Sequence, residues 1–557
     1  MIMALARTLP CLRDYPVIRP RLDPELSGRA VLDQLLDGHF TVHGERHYIG
    51  DPVDWLCNPS ADIEWHIVLH KMYHAPGLIQ AFLESDDDRY LQLWQNHLQG
   101  WIKVVEPGFI AADVTGRRIQ NWVYALSLYL TGGCHTIDLE FVEKVEVSLD
   151  EQIAWLRDNL HPSRNHRTLE LFAIFIGSLW LQSEQGIAFA LDALADNAEA
   201  DFLPDGVHVE LSSHYHCIAL RNLIDVIELA QDNDIAVPER LRQIIEKARY
   251  FARALHKPDG HIPMLGDADT GDYRAMLGAG APLGRFALFP DSGYVFLRDE
   301  AAVAGDPDGQ YLVFDCGPLG AGNHGHLDCL SFELAAFGRS LIVDPGRYTY
   351  FEGGAINARA AFRGTAAHSL VQVDGREQTA YRQGPKRMKV AGPSPATELI
   401  TAHEDCVAAR ARSAEYDVVL ERRIMRGDAG WWLVRDHMIS ADKHDYDLRF
   451  QLSPETDGAT HIIELKCGTR GVLSPNMLLI PLGSLAPQIF IEEGWVAPRY
   501  GLKQSAPRIR CHQHTSSGWF ATLLVPFEGV APDAGFEASD KGYRIALNGQ
   551  VTVGVWQ

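Results

Sequence analysis

Between Ser60 and Lys257 apolar residues recur at intervals of three and four, the spacing that turns one stripe of a helix toward a core. Leu169, Phe172, Ala173, Ile176 and Trp180 follow it, as do Leu220, Leu223, Ile224 and Ile227 and, after Pro238, Leu241, Ile244, Ile245 and Ala248. Turn signals at Pro162-Ser163, Pro204-Asp205-Gly206 and Pro258-Asp259-Gly260 separate these runs and predict amphipathic helices joined as antiparallel neighbours.

Around Pro282 to Ser292 the period changes. Short alternating or apolar runs follow at Gly293 to Leu297, Tyr311 to Phe314, Leu330 to Ala335, Leu341 to Val343, Ser369 to Val373, Trp431 to Val434 and Val551 to Trp556, punctuated by Gly, Asp and Pro. They predict a large antiparallel β region without a helix of length. A helical half followed by a strand half is an α+β multidomain chain with segregated layers, not a βαβ repeat. The expected boundaries are an N-terminal extension over 1–58, a helical domain over 59–285 and a β domain over 286–557. No repeat marks a solenoid.

Composition adds bounds. The 557 residues, 46% hydrophobic and 22% charged, describe a globular chain with ample core. The longest apolar run, Leu171 to Leu181, falls short of the roughly 18 residues a membrane span needs. Met1 to Tyr15 carries no sustained apolar stretch of a secretory signal, so the expected location is the cytoplasm, or the periplasm or exterior should a leader have been trimmed from the sequence. Nine cysteines, at Cys11, Cys57, Cys134, Cys217, Cys316, Cys329, Cys406, Cys467 and Cys511, show no CxxC spacing and read as reduced thiols. A formal net charge of -23 argues against a nucleic-acid partner. It also means that an anionic polymer has to be met by a local positive pocket.

Three segments carry candidate chemistry. Asn323-His324-Gly325-His326-Leu327-Asp328 puts two imidazoles and a carboxylate inside six residues behind a glycine-rich turn. In extended backbone the two imidazoles share a face, one suited to a proton and the other to an ion. Arg164-Asn165-His166-Arg167 opens a helix, which places Asn165 and His166 at an exposed helix end. Glu210 to His216 begins a later helix and contains Tyr215, a proton donor or acceptor once neighbours tune its pKa. Further on, strands Leu330 to Ala336 and Leu341 to Asp344, turning at Phe337-Gly338-Arg339-Ser340, pair Asp344 with Glu333; His326 reaches Asp344 only if its loop folds back over the strands.

These segments, in this order, resemble the heparinase II/III family of polysaccharide lyases. Asn165-His166 opens one helix, Tyr215 follows fifty residues later, and the His324 loop precedes a Ser-Phe-Glu-Leu strand. An Arg118, Asn121, Trp122 pattern, the Asp291-Ser292-Gly293-Tyr294 approach to the β half and an Arg363, Thr365, His368 motif extend the likeness from about Trp55 to the C-terminus. The resemblance implies an incomplete (α/α) toroid followed by antiparallel, β-sandwich-like sheets. It also implies β-elimination on uronic-acid-containing poly- or oligosaccharides. By it Asn165 would neutralise the uronate carboxylate, Tyr215 would act as base or acid at C5 and O4, and His166 or His324 would complete proton transfer. Arg118, Asn121, Trp122 and Glu210 would line the substrate site. His326, Asp344 and His368 stand where the metal-bearing branch holds zinc.

The chemistry asks for such groups. The C5 proton leaves only if the adjacent carboxylate is neutralised, because the transition state adds negative charge to the same group. A positioned acid–base residue contributes about 10²–10⁴-fold, so Tyr215 and a histidine are both candidates and neither alone would suffice. Arg347 and Arg363 are candidates for holding substrate carboxylates in a bidentate manner. Two imidazoles and a carboxylate suit a divalent metal, zinc first and other transition metals as alternatives, here expected as a structural ion fixing the His324 loop, with Glu333 or Asp328 orienting a ligand imidazole. Sulfated heparin is not the expected substrate of so acidic a chain. A uronyl C5-epimerase using the same proton abstraction, and a non-catalytic glycan-binding or assembly protein of an exopolysaccharide pathway, are the alternatives.

Overall fold

The computed structural model describes residues 15–134, 137–321, 324–353, 356–383, 388–466 and 468–556. Cys11, Asn323, Cys467 and the segment before Tyr15 lie outside the described residues. The chain forms two compact units. The first takes the chain up to Asp201 together with Ile218–Ile245, and the second takes Phe202–Cys217 together with everything from Glu246 onward.

In the first unit the helices Ile63–Lys71, Asp88–Val104 and Leu139–Asp158 begin where an aspartate accepts a backbone N–H of the first turn: Asp62 from Glu64, Asp87 from Arg89 and Asp138 from Phe141. His74–Ser85, Ala112–Thr131, Arg164–Trp180 and Glu184–Asp201 complete its helical run before Phe202. The helix Arg164–Trp180 is buried on every side from Leu171 to Ile176. It is therefore a central helix and not the amphipathic one its spacing predicts. The described part of the expected extension is folded into this unit. It forms a helix, Arg29–Leu36, and a hairpin of His39–Val42 with Glu45–Tyr48, whose Phe40 meets Trp65 edge-on at 5.8 Å. No helix among the described residues is long and apolar enough to cross a membrane.

In the second unit every strand pairing among the described residues is antiparallel. A five-stranded meander (Phe286–Phe289, Tyr294–Arg298, Tyr311–Asp315, Phe332–Ala336, Arg339–Ile342), an eight-stranded sheet and a four-stranded sheet share one apolar core. Leu312 and Phe332 of the first, Ile424 and Trp432 of the second and Leu448, Phe450 and Ile509 of the third all face it. All seven runs read as strands are strands, and the longest helix beyond Phe286 among the described residues is the six-residue Ala358–Arg363.

Residues 202–217 and 246–285 belong with the strands because their backbone is tied to them. Tyr294 Oη donates to Leu211 O at 2.9 Å, Tyr311 Oη to Leu255 O at 3.0 Å, and Met264 N to Glu333 Oε1 at 2.8 Å. The hairpin turn is tighter than expected: Phe337 and Gly338, with φ of 54° and 64°, form a two-residue turn that pairs Ala336 with Arg339. Positive φ at both central residues matches the twist of the flanking strands. Glu333 consequently meets Asp344 through its side chain, accepting the Asp344 N–H at 3.1 Å, and not across the ladder.

Candidate active site and metal centre

The helix Ser213–Asp232 starts against a loop that its first residues pin down. Ser212 Oγ donates to Asp267 O at 2.8 Å, Ser213 Oγ to Pro263 O at 2.6 Å, and Ser213 N to Leu265 O at 3.2 Å. The same loop holds the histidine segment, since Asp267 N donates to His324 O at 2.8 Å. Gly266 makes this approach possible. Its φ is 64°, and a Cβ there would lie 2.8 Å from His324 O. The result is a face-to-face stack of Tyr215 on His324, with ring centroids 3.8 Å apart.

The Tyr215 hydroxyl sits in a polar network. It lies 2.7 Å from Tyr350 Oη, and Arg347 Nη1 donates to Tyr350 Oη at 2.9 Å and to Tyr215 Oη at 3.4 Å. The guanidinium is itself held by both oxygens of Asp269, at 2.9 and 2.5 Å. Burial pushes the Tyr215 phenol up to about 12, with Arg347 and the Tyr350 hydroxyl pulling the other way. At neutral pH Tyr215 is therefore a fully protonated donor. His214 lies behind it, accepting from or donating to Tyr273 Oη at 2.9 Å, and burial lowers its pKa to about 4.

Beneath the stack, Asp267 is buried with both oxygens occupied. Oδ2 lies 2.9 Å from His324 Nδ1 and Oδ1 lies 2.9 Å from His326 Nε2. Arg359 binds the same two oxygens in fork geometry. Burial alone would raise the Asp267 pKa, but Arg359 and the two imidazoles hold it well below the ordinary carboxylate value. Beyond His326 come Asp344 and His368. Oδ1 of Asp344 is 3.9 Å from His326 Nδ1, and Oδ2 is 2.7 Å from His368 Nδ1. The donor atoms of the three residues lie within 4.8 Å of one another, all buried. His326 Nδ1 and His368 Nε2 have no hydrogen-bond partner among the described residues. Orphaned imidazole nitrogens beside a carboxylate fit a divalent cation with nitrogen and oxygen donors. The loop has thus folded back over the strands. Arg363 Nε donates to Gly325 O at 2.7 Å, and Leu327 N to Arg363 O at 3.0 Å.

The sequence profile of the Heparinase II/III N-terminus matches residues 23–293, and that of the Heparinase II/III-like C-terminal domain matches residues 281–538. The chain belongs to the heparinase II/III family. As a member it is a polysaccharide lyase. The heparin-sulfate lyase of Bacteroides thetaiotaomicron is 22% identical over 573 residues, covering 89% of this chain and 79% of the relative. Among solved structures, heparinase III superposes with a TM-score of 0.82 at 18% identity, covering 98% of this chain and 93% of that one. The heparan sulfate lyase HepC of Pedobacter heparinus gives 0.68 at 18% identity, over 98% and 91%. These likenesses establish the expected fold, a helical toroid followed by antiparallel sheets.

Within this family member Tyr215, His324, Arg347, His326, Asp344 and His368 come together in the second unit. Asn165 and His166 lie in the first. Ser163 takes the N-cap position without a side-chain cap; Asn165, the helix's second residue, is buried at 7% exposure, which corrects the expectation of an exposed end for Asn165, while the His166 side chain is 45% exposed. Asn165 Oδ1 has no hydrogen-bond partner among the described residues. His166 Nδ1 and Lys71 Nζ each lie 3.6 Å from Asp113.

Several expected substrate residues are interior supports. Arg118, fully buried, donates to Gln152 Oε1 at 2.8 Å and Pro107 O at 2.6 Å and lies over Trp101 at 4.0 Å. Trp122 is fully buried, and Asn121 donates to Lys71 O at 2.8 Å. Glu210 is buried beside His208, and Arg363 is spent on the Gly325 carbonyl, so neither presents its charge to solvent. Arg347 is paired with Asp269 and aimed at Tyr215, which makes it a support of the phenol. Glu333 accepts from the Asp344 and Met264 backbones and not from an imidazole.

Asp267, Asp269, Tyr350 and Arg359 escaped sequence reasoning. The available signal was Gly266-Asp267-Ala268-Asp269-Thr270-Gly271-Asp272, three acids among glycines in a stretch with no helix or strand period.

Proposed function

We propose that this lyase eliminates across C4–C5 of a uronic acid in a glycan chain, with His324 taking the C5 proton and Tyr215 giving a proton to O4. The observation that carries the reading is the stack of Tyr215 on His324 with the phenol hydroxyl fixed by Arg347 and Tyr350. The imidazole accepts the proton from C5, the C5–H electrons form the C4–C5 double bond, and the C4–O4 bond breaks. The leaving oxygen takes the Tyr215 proton. The raised phenol pKa keeps that proton in place at neutral pH until O4 carries developing negative charge.

Zinc is the proposed ion for His326, Asp344 and His368, since two imidazoles and a carboxylate are ordinary zinc donors. Bound there, it would supply a cationic cross-link between the His324 segment and the strand-following Asp344. Arg347 and Arg359 are each neutralised by an aspartate, which supports a uronate glycan of low sulfation over a densely sulfated one. The test is incubation of the wild type and Tyr215→Phe with a panel of polyuronides and glycosaminoglycans. The ultraviolet absorbance of the conjugated C4–C5 double bond is followed. A rise with wild type and none with the variant supports the reading, and no rise with any uronate glycan overturns it.

A further inference from the structure

We propose that Asp267 is a positioning residue that sets the ring tautomers of two histidines at once, the proposed base His324 and the proposed metal ligand His326. The inference rests on the elimination reading for the role of His324, and on geometry for everything else. A carboxylate clamped at both oxygens by the guanidinium of Arg359 only accepts hydrogen bonds. Its oxygens lie 2.9 Å from His324 Nδ1 and 2.9 Å from His326 Nε2, so each of those nitrogens carries the proton. The remaining nitrogens are then lone pairs: Nε2 of His324 and Nδ1 of His326. The second of these is the atom that lies 3.9 Å from Asp344 Oδ1 and has no protein partner among the described residues.

One buried anion therefore makes one imidazole a proton acceptor and its neighbour two residues on a metal ligand, through opposite ring nitrogens. Arg359 completes the device. Its fork on both oxygens keeps Asp267 ionised in a site with no exposure to water, and it fixes the plane in which the two imidazoles are received. An asparagine in place of Asp267 accepts at one atom and donates at the other, so one of the two imidazoles has to surrender its tautomer.

The experiment is long-range nitrogen–proton correlation spectroscopy on the full chain labelled in its histidines, recorded before and after metal removal by chelator. His324→Gln and His326→Gln assign the signals. Zinc retention against a competing chelator is measured in parallel for wild type and Asp267→Asn. The expected result is His324 protonated on Nδ1 and His326 on Nε2 in both wild-type samples, with one of the two switched in Asp267→Asn and zinc affinity down by about 10–100-fold. A proton on His324 Nε2 or His326 Nδ1 in the wild type overturns the proposal, and so does an Asp267→Asn protein that keeps both tautomers and its zinc affinity. Should that variant fail to fold, the wild-type spectra decide alone. A chain that cleaves no uronate glycan yet shows these tautomers refutes the elimination reading and leaves the role of Asp267 standing.

Discussion

The imidazole of His324 lies against the phenol of Tyr215 with ring planes 24° from parallel and centroids 3.8 Å apart. In the proposed elimination these two groups, in van der Waals contact, serve one sugar ring together. Removing the hydroxyl alone leaves the stack, the helix start and the Gly266 approach untouched. Tyr215→Phe is expected to lower kcat at least about 100-fold while the thermal midpoint stays near that of wild type. A variant retaining a tenth or more of the wild-type rate would remove Tyr215 from the reaction.

Arg347 separates a substrate clamp from a support. Its guanidinium is neutralised by Asp269 and points Nη1 at the Tyr350 and Tyr215 hydroxyls. Arg347→Met is therefore expected to act on kcat, by roughly 10–100-fold from a misplaced phenol, with KM changed little. Steady-state kinetics on a cleaved glycan checks this. A KM rise with kcat intact would return Arg347 to carboxylate binding.

The period of the chain made the elements legible and left their surroundings obscure. Tyr311–Asp315, buried at every position, was readable as a short apolar run bounded by turn residues, and Gln550–Val555 from the alternation of its valines, although those valines stay exposed. The helix Arg164–Trp180 also showed in the pattern, but its burial on every side from Glu170 onward did not, because periodicity sees one face and not what packs on the other. At the site, Tyr215, His324 and His326 were visible in dense clusters of titratable groups, whereas Asp344 and His368 stood out only through the family resemblance. Asp267 and Arg359 were not, since they meet across 92 residues of chain and each looks ordinary where it stands. Arg118 erred the other way. A motif position suggested substrate, and only burial shows that its donors are consumed by Gln152 and the Pro107 carbonyl.

Arg118 consequently gives a stability prediction. Burial lowers its pKa to about 9, and its guanidinium is held by Gln152, Pro107 O and the face of Trp101. Arg118→Ala strands those acceptors and empties the space over the indole, at a cost of about 3 kcal/mol or more. Chemical denaturation is expected to show that loss, with KM for the cleaved glycan unchanged in protein that remains folded. A stable Arg118→Ala enzyme with raised KM would make Arg118 a substrate residue after all.

The histidines of the first unit predict how its stability follows pH. Trp101 Nε1 donates to His70 Nδ1 at 3.2 Å, so His70 carries its proton on Nε2 and gives it to Trp55 O at 2.9 Å. A second proton would break the tryptophan contact and bury a charge. Burial accordingly lowers the His70 pKa to about 3 and that of His97, 3.2 Å from His74, to about 4. In the unfolded chain both titrate near the ordinary histidine value of about 6.5. Above that pH neither state binds the extra proton and the stabilisation is complete. As pH falls below it the unfolded state takes up protons that the folded state refuses, and stability drops by up to about 1.4 kcal/mol per pH unit for each histidine until the folded pKa is reached. The thermal midpoint should therefore fall between pH 6.5 and 4.5, and His97→Gln should flatten the slope across that window by about half of what the pair contributes. Parallel melting curves for wild type and variant over the whole range would show that His97 is protonated in the folded unit, contrary to its burial.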